Sequence, residues 1–234
     1  MRIKFQQVFF SIFILLVGLN LNAQDLVKDS LAVDDKYRED QFYFGITYNL
    51  IGNNDLDISQ TGFSSGFHFG FIRDMPINKS RTFALGLGLG YSANALNQNL
   101  FIGETPNGYI YDLLTSDSFE KNRISLHVLE APFEFRWRQS TPEEYRFWRI
   151  YTGVKFGYVF ANSVKFKGAS GTTKLSSVDD FSKFHYGLTL SVGYNIVNAH
   201  IYYGLNSIFE KEAQLNGQSL EVELIKIGLI IYVL

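Results

Sequence analysis

Two short stretches concentrate the residues whose types and spacing could do chemistry. Glu130, Glu134, Arg136 and Arg138 share one parity, and Arg149, Tyr151 and Lys155 share another. In an extended chain alternate residues line one face. Each set therefore points one way, and a tight connection around Thr141–Glu144 would bring the two together. Symmetric closure puts Glu130 opposite Lys155, Glu134 opposite Tyr151 with Arg149 on the diagonal, and Trp137 opposite Trp148. Two carboxylates among cations fit a network of mutually neutralised ion pairs, which burial demands. They also fit a catalytic or gating group.

Other candidates carry less. Leu85–Tyr91 reads Leu-Gly-Leu-Gly-Leu-Gly-Tyr, with a glycine at every second position. A dinucleotide loop needs different spacing and a following helix. These glycines read as the small face of a strand, leaving room for large side chains opposite. His68, His127, His185 and His200 show no ligand spacing and read as hydrogen-bonding groups, three of them directed inward on different strands. No histidine falls on the apolar face of a run, which argues against an enzyme working on membrane lipid. Asn53, Asn54, Asp55 and Asp57 lack the glycine and bidentate glutamate of a Ca²⁺ loop and read as solvated loop. With no cysteine, disulfides, thiolate metal sites and a lipoprotein anchor are excluded. No catalytic, cofactor or metal residues are assigned.

The elements that position these residues are written in period two. Eight runs alternate apolar with small or polar residues: Gln41–Leu50, Gly62–Arg73, Thr82–Ser92, Arg123–Arg138, Phe147–Ala161, Phe184–Ile196, Ile201–Phe209 and a last one with Ile225, Ile227, Leu229, Ile231 and Val233 on one face. The fourth run changes phase. Ile124, Leu126 and Val128 are even-numbered, whereas Leu129, Ala131, Phe133, Phe135 and Trp137 are odd. A bulge at Val128/Leu129 would reconcile them. Pro132, which cannot donate to a ladder, adds to the irregularity expected there.

The non-apolar face is Gly, Ser, Ala and Thr rather than Lys and Glu, as suits a lumen better than a water-facing surface. Aromatics, 16% of the 234 residues, gather at both ends of the apolar faces, Trp137 and Trp148 among them. That is the two-girdle pattern of a bilayer barrel. Connections alternate between short (Asp74–Arg81, Gln139–Arg146, Val197–His200) and long (Ile51–Thr61, Ala93–Asn122, Asn162–Lys183, Glu210–Ser219). The fold read from these features is all-β: an eight-stranded antiparallel up-and-down transmembrane β-barrel over residues 41–234, with both termini periplasmic. Eight strands leave an interior that side chains can fill. A soluble lipocalin-like barrel is the alternative. A net charge of −2 argues against nucleic acid.

Ahead of the barrel, Arg2 and Lys4 precede an apolar stretch, Val8–Leu19, and Leu21-Asn-Ala23 offers a cleavage site. Residues 1–23 read as a signal peptide and 24–40 as a flexible periplasmic segment. At the other end Lys226, Gly228, Ile231 and Val233 resemble the last-strand signal read by outer-membrane insertion machinery.

Leu129-Glu-Ala-Pro-Phe-Glu-Phe-Arg-Trp-Arg138, followed by Ser140-Thr-Pro-Glu-Glu144 and Phe147-Trp-Arg-Ile-Tyr151, resembles the PorT-like outer-membrane β-barrel proteins of Bacteroidetes. The Asn-Ala-Gln end of the signal peptide is similar to that phylum's. The resemblance covers the barrel by architecture and about Leu129–Tyr151 by motif. It implies the fold and a non-enzymatic accessory or structural role in type IX secretion and gliding motility. Its partners would be outer-membrane lipids and secretion-machinery proteins met through periplasmic turns or external loops. A general outer-membrane barrel, whether minor pore, surface binder or membrane stabiliser, is the alternative. A lipid-modifying enzyme is the third reading.

Overall fold

The computed structural model describes residues 40–52, 56–106, 108–115, 117–139, 147–169 and 171–233. The expected signal peptide, the lead-in before Asp40 and most of the Gln139–Arg146 connection lie outside these. Eight strands form the wall: β1 (Gln41–Gly52), β2 (Ser65–Pro76), β3 (Phe83–Asn97), β6 (Phe119–Arg138), β7 (Trp148–Gly168), β9 (Phe184–Tyr194), β10 (Val197–Gly204) and β13 (Glu223–Val233). Each pairs antiparallel with the next, and β1 pairs with β13, Phe42 opposite Val233 through Gly52 opposite Glu223. The sheet closes on itself, so no wall strand is left with an unpaired edge. Among the described residues there is no helix.

The alternation in the sequence becomes an inside and an outside. Phe44, Ile46, Phe67, Leu89, Leu129, Phe156, Leu188 and Leu229 point outward and are exposed, Leu89 by 75%. Residues of opposite parity, Thr47, His68, Ser92, Glu130 and Ser191 among them, are buried within the barrel. Monomeric proteins in water rarely present one continuous apolar patch of this extent. It suits a hydrocarbon solvent, in which backbone groups must be satisfied by the ladder.

Two sequence expectations change. The connection expected at Val197–His200 is strand, and the turn is Asn195–Ile196, with Asn195 at φ 59°. Asparagine tolerates that left-handed conformation, which two-residue hairpin turns need. The second correction concerns the phase change in β6, which does not occur. Ile124, Leu126 and Val128 point inward, as do Glu130, Glu134, Arg136 and Arg138. The extra residue is on β7 instead. His127 pairs with Ala161 and Val128 with Val159, which leaves Phe160 unpaired. The irregularity at Pro132 does occur, since the β3 ladder skips Gly88 and Leu89 between Leu87–Phe133 and Gly90–Glu130.

The inward apolar residues of β6 belong to a second core. β6 and β7 have 20 and 21 residues, about twice what a span needs. Both continue past the belt at the long-loop end. There β4 (Leu100–Thr105) and β5 (Gly108–Leu113) form a hairpin, β8 (Gly171–Ser176) folds back on β7, and β11 (Gln214–Leu215) pairs with β12 (Gln218–Ser219). Leu96, Leu100, Ile124, Leu126, Val164, Phe181, Phe209 and Leu220 are buried together in a cap over the barrel mouth. Asn162 Nδ2 donates to the Val178 carbonyl at 3.0 Å, and Val178 N–H donates to Asn162 Oδ1 at 2.8 Å. Phe181 and Phe209 stack at 4.9 Å. The long connections are thus folded structure with a core of their own.

Tyr111, in the cap hairpin, donates its hydroxyl to Asp180 Oδ2 at 2.6 Å. Burial and that acceptor push its hydroxyl above the ordinary tyrosine range. The contribution to cap stability is full below the unfolded-chain value of about 10. It drains above that pH, because the unfolded form loses its proton first. Limited proteolysis at rising pH should therefore cut the cap faster above about pH 10. Tyr111→Phe should be cut faster already at neutral pH, with a flatter alkaline rise. Equal pH profiles for the two proteins would contradict this account.

Candidate functional site

The buried charges form two linked groups inside the wall. Nearest the short turns is Asp74, at the end of β2. It accepts from Arg138 Nη1 and Nη2 at 2.8 Å each and from Arg136 Nη1 at 3.2 Å. Arg136 Nε donates in turn to Glu134 at 3.0 Å. The side chains of Asp74, Arg136 and Arg138 are fully excluded from solvent. Higher in the barrel, Glu130 takes Lys155 Nζ at 3.2 Å and His68 Nδ1 at 3.3 Å. His68 Nε2 lies 3.1 Å from Thr47 Oγ1. Between the groups Tyr43, Tyr151 and Tyr232 pack with Ile72 and Ile230, and the Arg136 guanidinium stacks 4.5 Å over Tyr151.

The small face of the wall makes these bulky contacts fit. A Cβ at Gly86 would sit 2.7 Å from Arg136 Nε, and one at Gly90 would overlap the Tyr43 hydroxyl. The same logic sets the β6–β7 register, which differs from symmetric closure by two residues. Glu130 lies opposite Gly157, Glu134 opposite Gly153 and Tyr151 opposite Arg136. A long inward side chain thus meets a glycine where the expected register placed a lysine or a tyrosine. Lys155 still reaches Glu130, from the position opposite Pro132. Arg149 is not Glu134's partner. It lies opposite Arg138 and stacks 4.6 Å over Phe147, and its buried Nε and Nη1 have no acceptor among the described residues. Trp137 faces Ile150, not Trp148, and Trp148 lies opposite Tyr194 at 5.6 Å. Both tryptophans are on the outward face, Trp148 more than half exposed.

Asp74 is the residue that sequence reasoning missed. The second run continues its inward parity through His68, Gly70, Ile72 and Asp74, so two more residues of period two would have placed it inside. His127 is a correction in the other direction. Against the expectation that no histidine falls on the apolar face of a run, it lies on the outward face, with Nδ1 2.6 Å from the Tyr91 hydroxyl and its ring near Phe160. Phase error in the fourth run caused this. Ser125 shares that face two residues away, about 7 Å along a strand. Among the described residues no carboxylate joins them.

Among the described residues the buried charges do not balance. Asp74, Glu130 and Glu134 face Arg136, Arg138, Arg149, Lys155 and Lys226. Lys226 Nζ sits 4.9 Å over the Tyr202 ring and lines a cavity of about 20 Å³ with Glu130, Lys155, His185 and Asn206. That volume admits about one water molecule. Above it Val128, Ile208 and Leu224 begin the apolar cap.

Asp74 neutralises two buried arginines, so removing its charge should be costly. Asp74→Asn should lower the folding free energy in detergent micelles by about 3–5 kcal/mol. Lys226→Met strands no carboxylate of its direct partner and should cost under about 1.5 kcal/mol. Urea titration of both variants checks this, and equal losses would contradict the assigned pairing.

Two crystal structures of Ail, the attachment invasion locus protein of Yersinia pestis, are similar to this chain. For the one in complex with the heparin analogue sucrose octasulfate the identity is 13%. The match covers 84% of this chain and 99% of that chain at a TM-score of 0.37. For the other the figures are 12%, 83%, 97% and 0.35. No curated protein matches the chain. The family model described as outer membrane protein beta-barrel domain matches residues 22–210. With its closed, apolar-belted wall and that match over most of its length, the chain belongs to the outer membrane protein beta-barrel domain family.

Proposed function

We propose that this outer-membrane barrel is a non-conducting, non-enzymatic protein that acts through its surfaces, with its capped end outside the cell and both termini in the periplasm. The observation that carries this reading is the filled interior. Ion pairs and tyrosines occupy one half, and the cap core covers the other. Alternating connection lengths support the orientation, since outer-membrane barrels place short turns in the periplasm. Planar-bilayer recording on the purified protein should give no stable single-channel steps. Steps of uniform size from the unmodified protein would overturn the reading.

Within that frame, an accessory or structural role in type IX secretion and gliding motility is the reading that the PorT-like resemblance of Leu129–Tyr151 supports. Its partners would be secretion-machinery proteins met at the periplasmic turns or the cap. Many residues of that motif, Glu130, Glu134, Arg136, Arg138, Arg149 and Tyr151, are buried in the barrel. The motif therefore speaks first to how the lumen is filled and less to secretion. A general surface-binding or membrane-stabilising barrel is the second reading, favoured by the folded cap. Deleting the gene in its host and measuring release of type IX cargo separates the two. Lost secretion restored by the wild-type gene is expected for the first, and unchanged secretion and gliding would remove it.

A further inference from the structure

Past the belt, the outward face of β6, β7 and β8 carries a run of cations set directly against one another. Arg123 lies opposite Lys165, and Lys165 opposite Lys174. One rung further out, Lys121 lies opposite Lys167. Like charges in opposed positions destabilise a sheet. Among the described residues, the one ion pair in this group is Lys167 with Glu120, the residue left unpaired in the ladder at the start of β6. Arg123, half-buried, donates Nε to Asn97 Oδ1 at 3.0 Å, which anchors its guanidinium beside the lysines. Lys165 and Lys174 are exposed.

The height of this patch says what covers it. The outward aromatic group of Tyr91, His127 and Phe160 has ring centroids 6.0–6.2 Å apart and marks the edge of the apolar belt. Arg123 is four residues beyond His127 on the same strand, about 13 Å of chain. Strand tilt near 40° reduces that to about 10 Å along the membrane normal. Headgroup layers extend about 5–7 Å beyond each side of the hydrocarbon. Long basic side chains reach back toward them with their stems along the wall.

We infer that Arg123, Lys165, Lys174 and Lys121 form a binding site for the phosphate groups of anionic lipid in the leaflet that surrounds the capped end. In the outer membrane the external leaflet is built from phosphorylated glycolipid, so each barrel would hold such lipids at the β6–β7–β8 flank. This rests on the proposed orientation of the barrel. A soluble polyanion would be drawn to the same cluster by charge alone, and the height beside the belt favours the lipid.

The test uses the mature protein in nanodiscs of phosphatidylcholine with monophosphoryl lipid A as the probe. After detergent extraction, native mass spectrometry counts retained lipid A molecules. The wild type should keep them, and the triple variant Arg123→Gln, Lys165→Gln, Lys174→Gln should retain at least about tenfold fewer. Lys211→Gln, also on the cap, should behave as wild type. Unfolded variants are excluded by the heat-dependent gel mobility of an intact barrel. Equal retention by the triple variant would overturn the proposal. So would displacement of the lipid by soluble dextran sulfate with tighter binding of the polymer than of lipid A. Orientation is read separately, by labelling Lys174→Cys with an impermeant maleimide on whole cells, since the natural chain has no cysteine. Absent labelling would remove the orientation while leaving the retention result to stand on its own.

Discussion

Hydrocarbon offers no partner to a peptide N–H or C=O, and that constraint governs the whole molecule. A sheet in that solvent must close, and here it closes through β1 against β13. Closure fixes parity. Once the ladder is set, every residue of one parity meets lipid and every residue of the other is enclosed. The outward set is accordingly Phe, Leu, Ile and Tyr, and the enclosed set mixes glycine with long polar side chains.

Enclosure then imposes a second demand, because charges without water need partners. Asp74 sits between two arginines, Arg136 passes the link to Glu134, and Glu130 is shared by Lys155 and His68. Aromatic faces take part of the remaining positive charge, with Arg149 over Phe147 and Lys226 over Tyr202. Where the wall rises past the belt, the enclosed face changes from ionic to apolar without any change of parity. In β6 that switch falls between Glu130 and Val128. One strand thus lines two different interiors, a polar plug within the membrane and an apolar core beyond it.

This switch explains what the sequence disclosed and what it hid. Period two located all eight wall strands, because side-chain direction alternates whatever the chemistry on each face. The two-residue offset in the β6–β7 hairpin was not legible, since it is decided by glycines at 153 and 157 meeting Glu134 and Glu130 across the ladder. Ile124, Leu126 and Val128 fit a lipid-facing row as long as apolar residues are equated with the outside throughout. That holds within the bilayer and fails above it, where a cap supplies an apolar interior. The same inversion put His127 on the wrong side. Asp74 was hidden for a simpler reason, having been assigned to a turn. The cap itself left almost no signal, because short strands such as β4, β5 and β8 pair locally and bury residues scattered over distant connections.

Site-resolved amide hydrogen exchange in lipid nanodiscs tests most directly the claim that one closed, continuous wall runs from the plug into the cap. The account predicts strong protection across β1 and β13, which share the closing ladder. It also predicts unbroken protection along β6 from Arg136 to Asn122, with no step where the enclosed face turns apolar. Fast exchange in β1 and β13, or protection that ends at His127 with Ile124 and Leu126 exchanging as solvated loop, would contradict it.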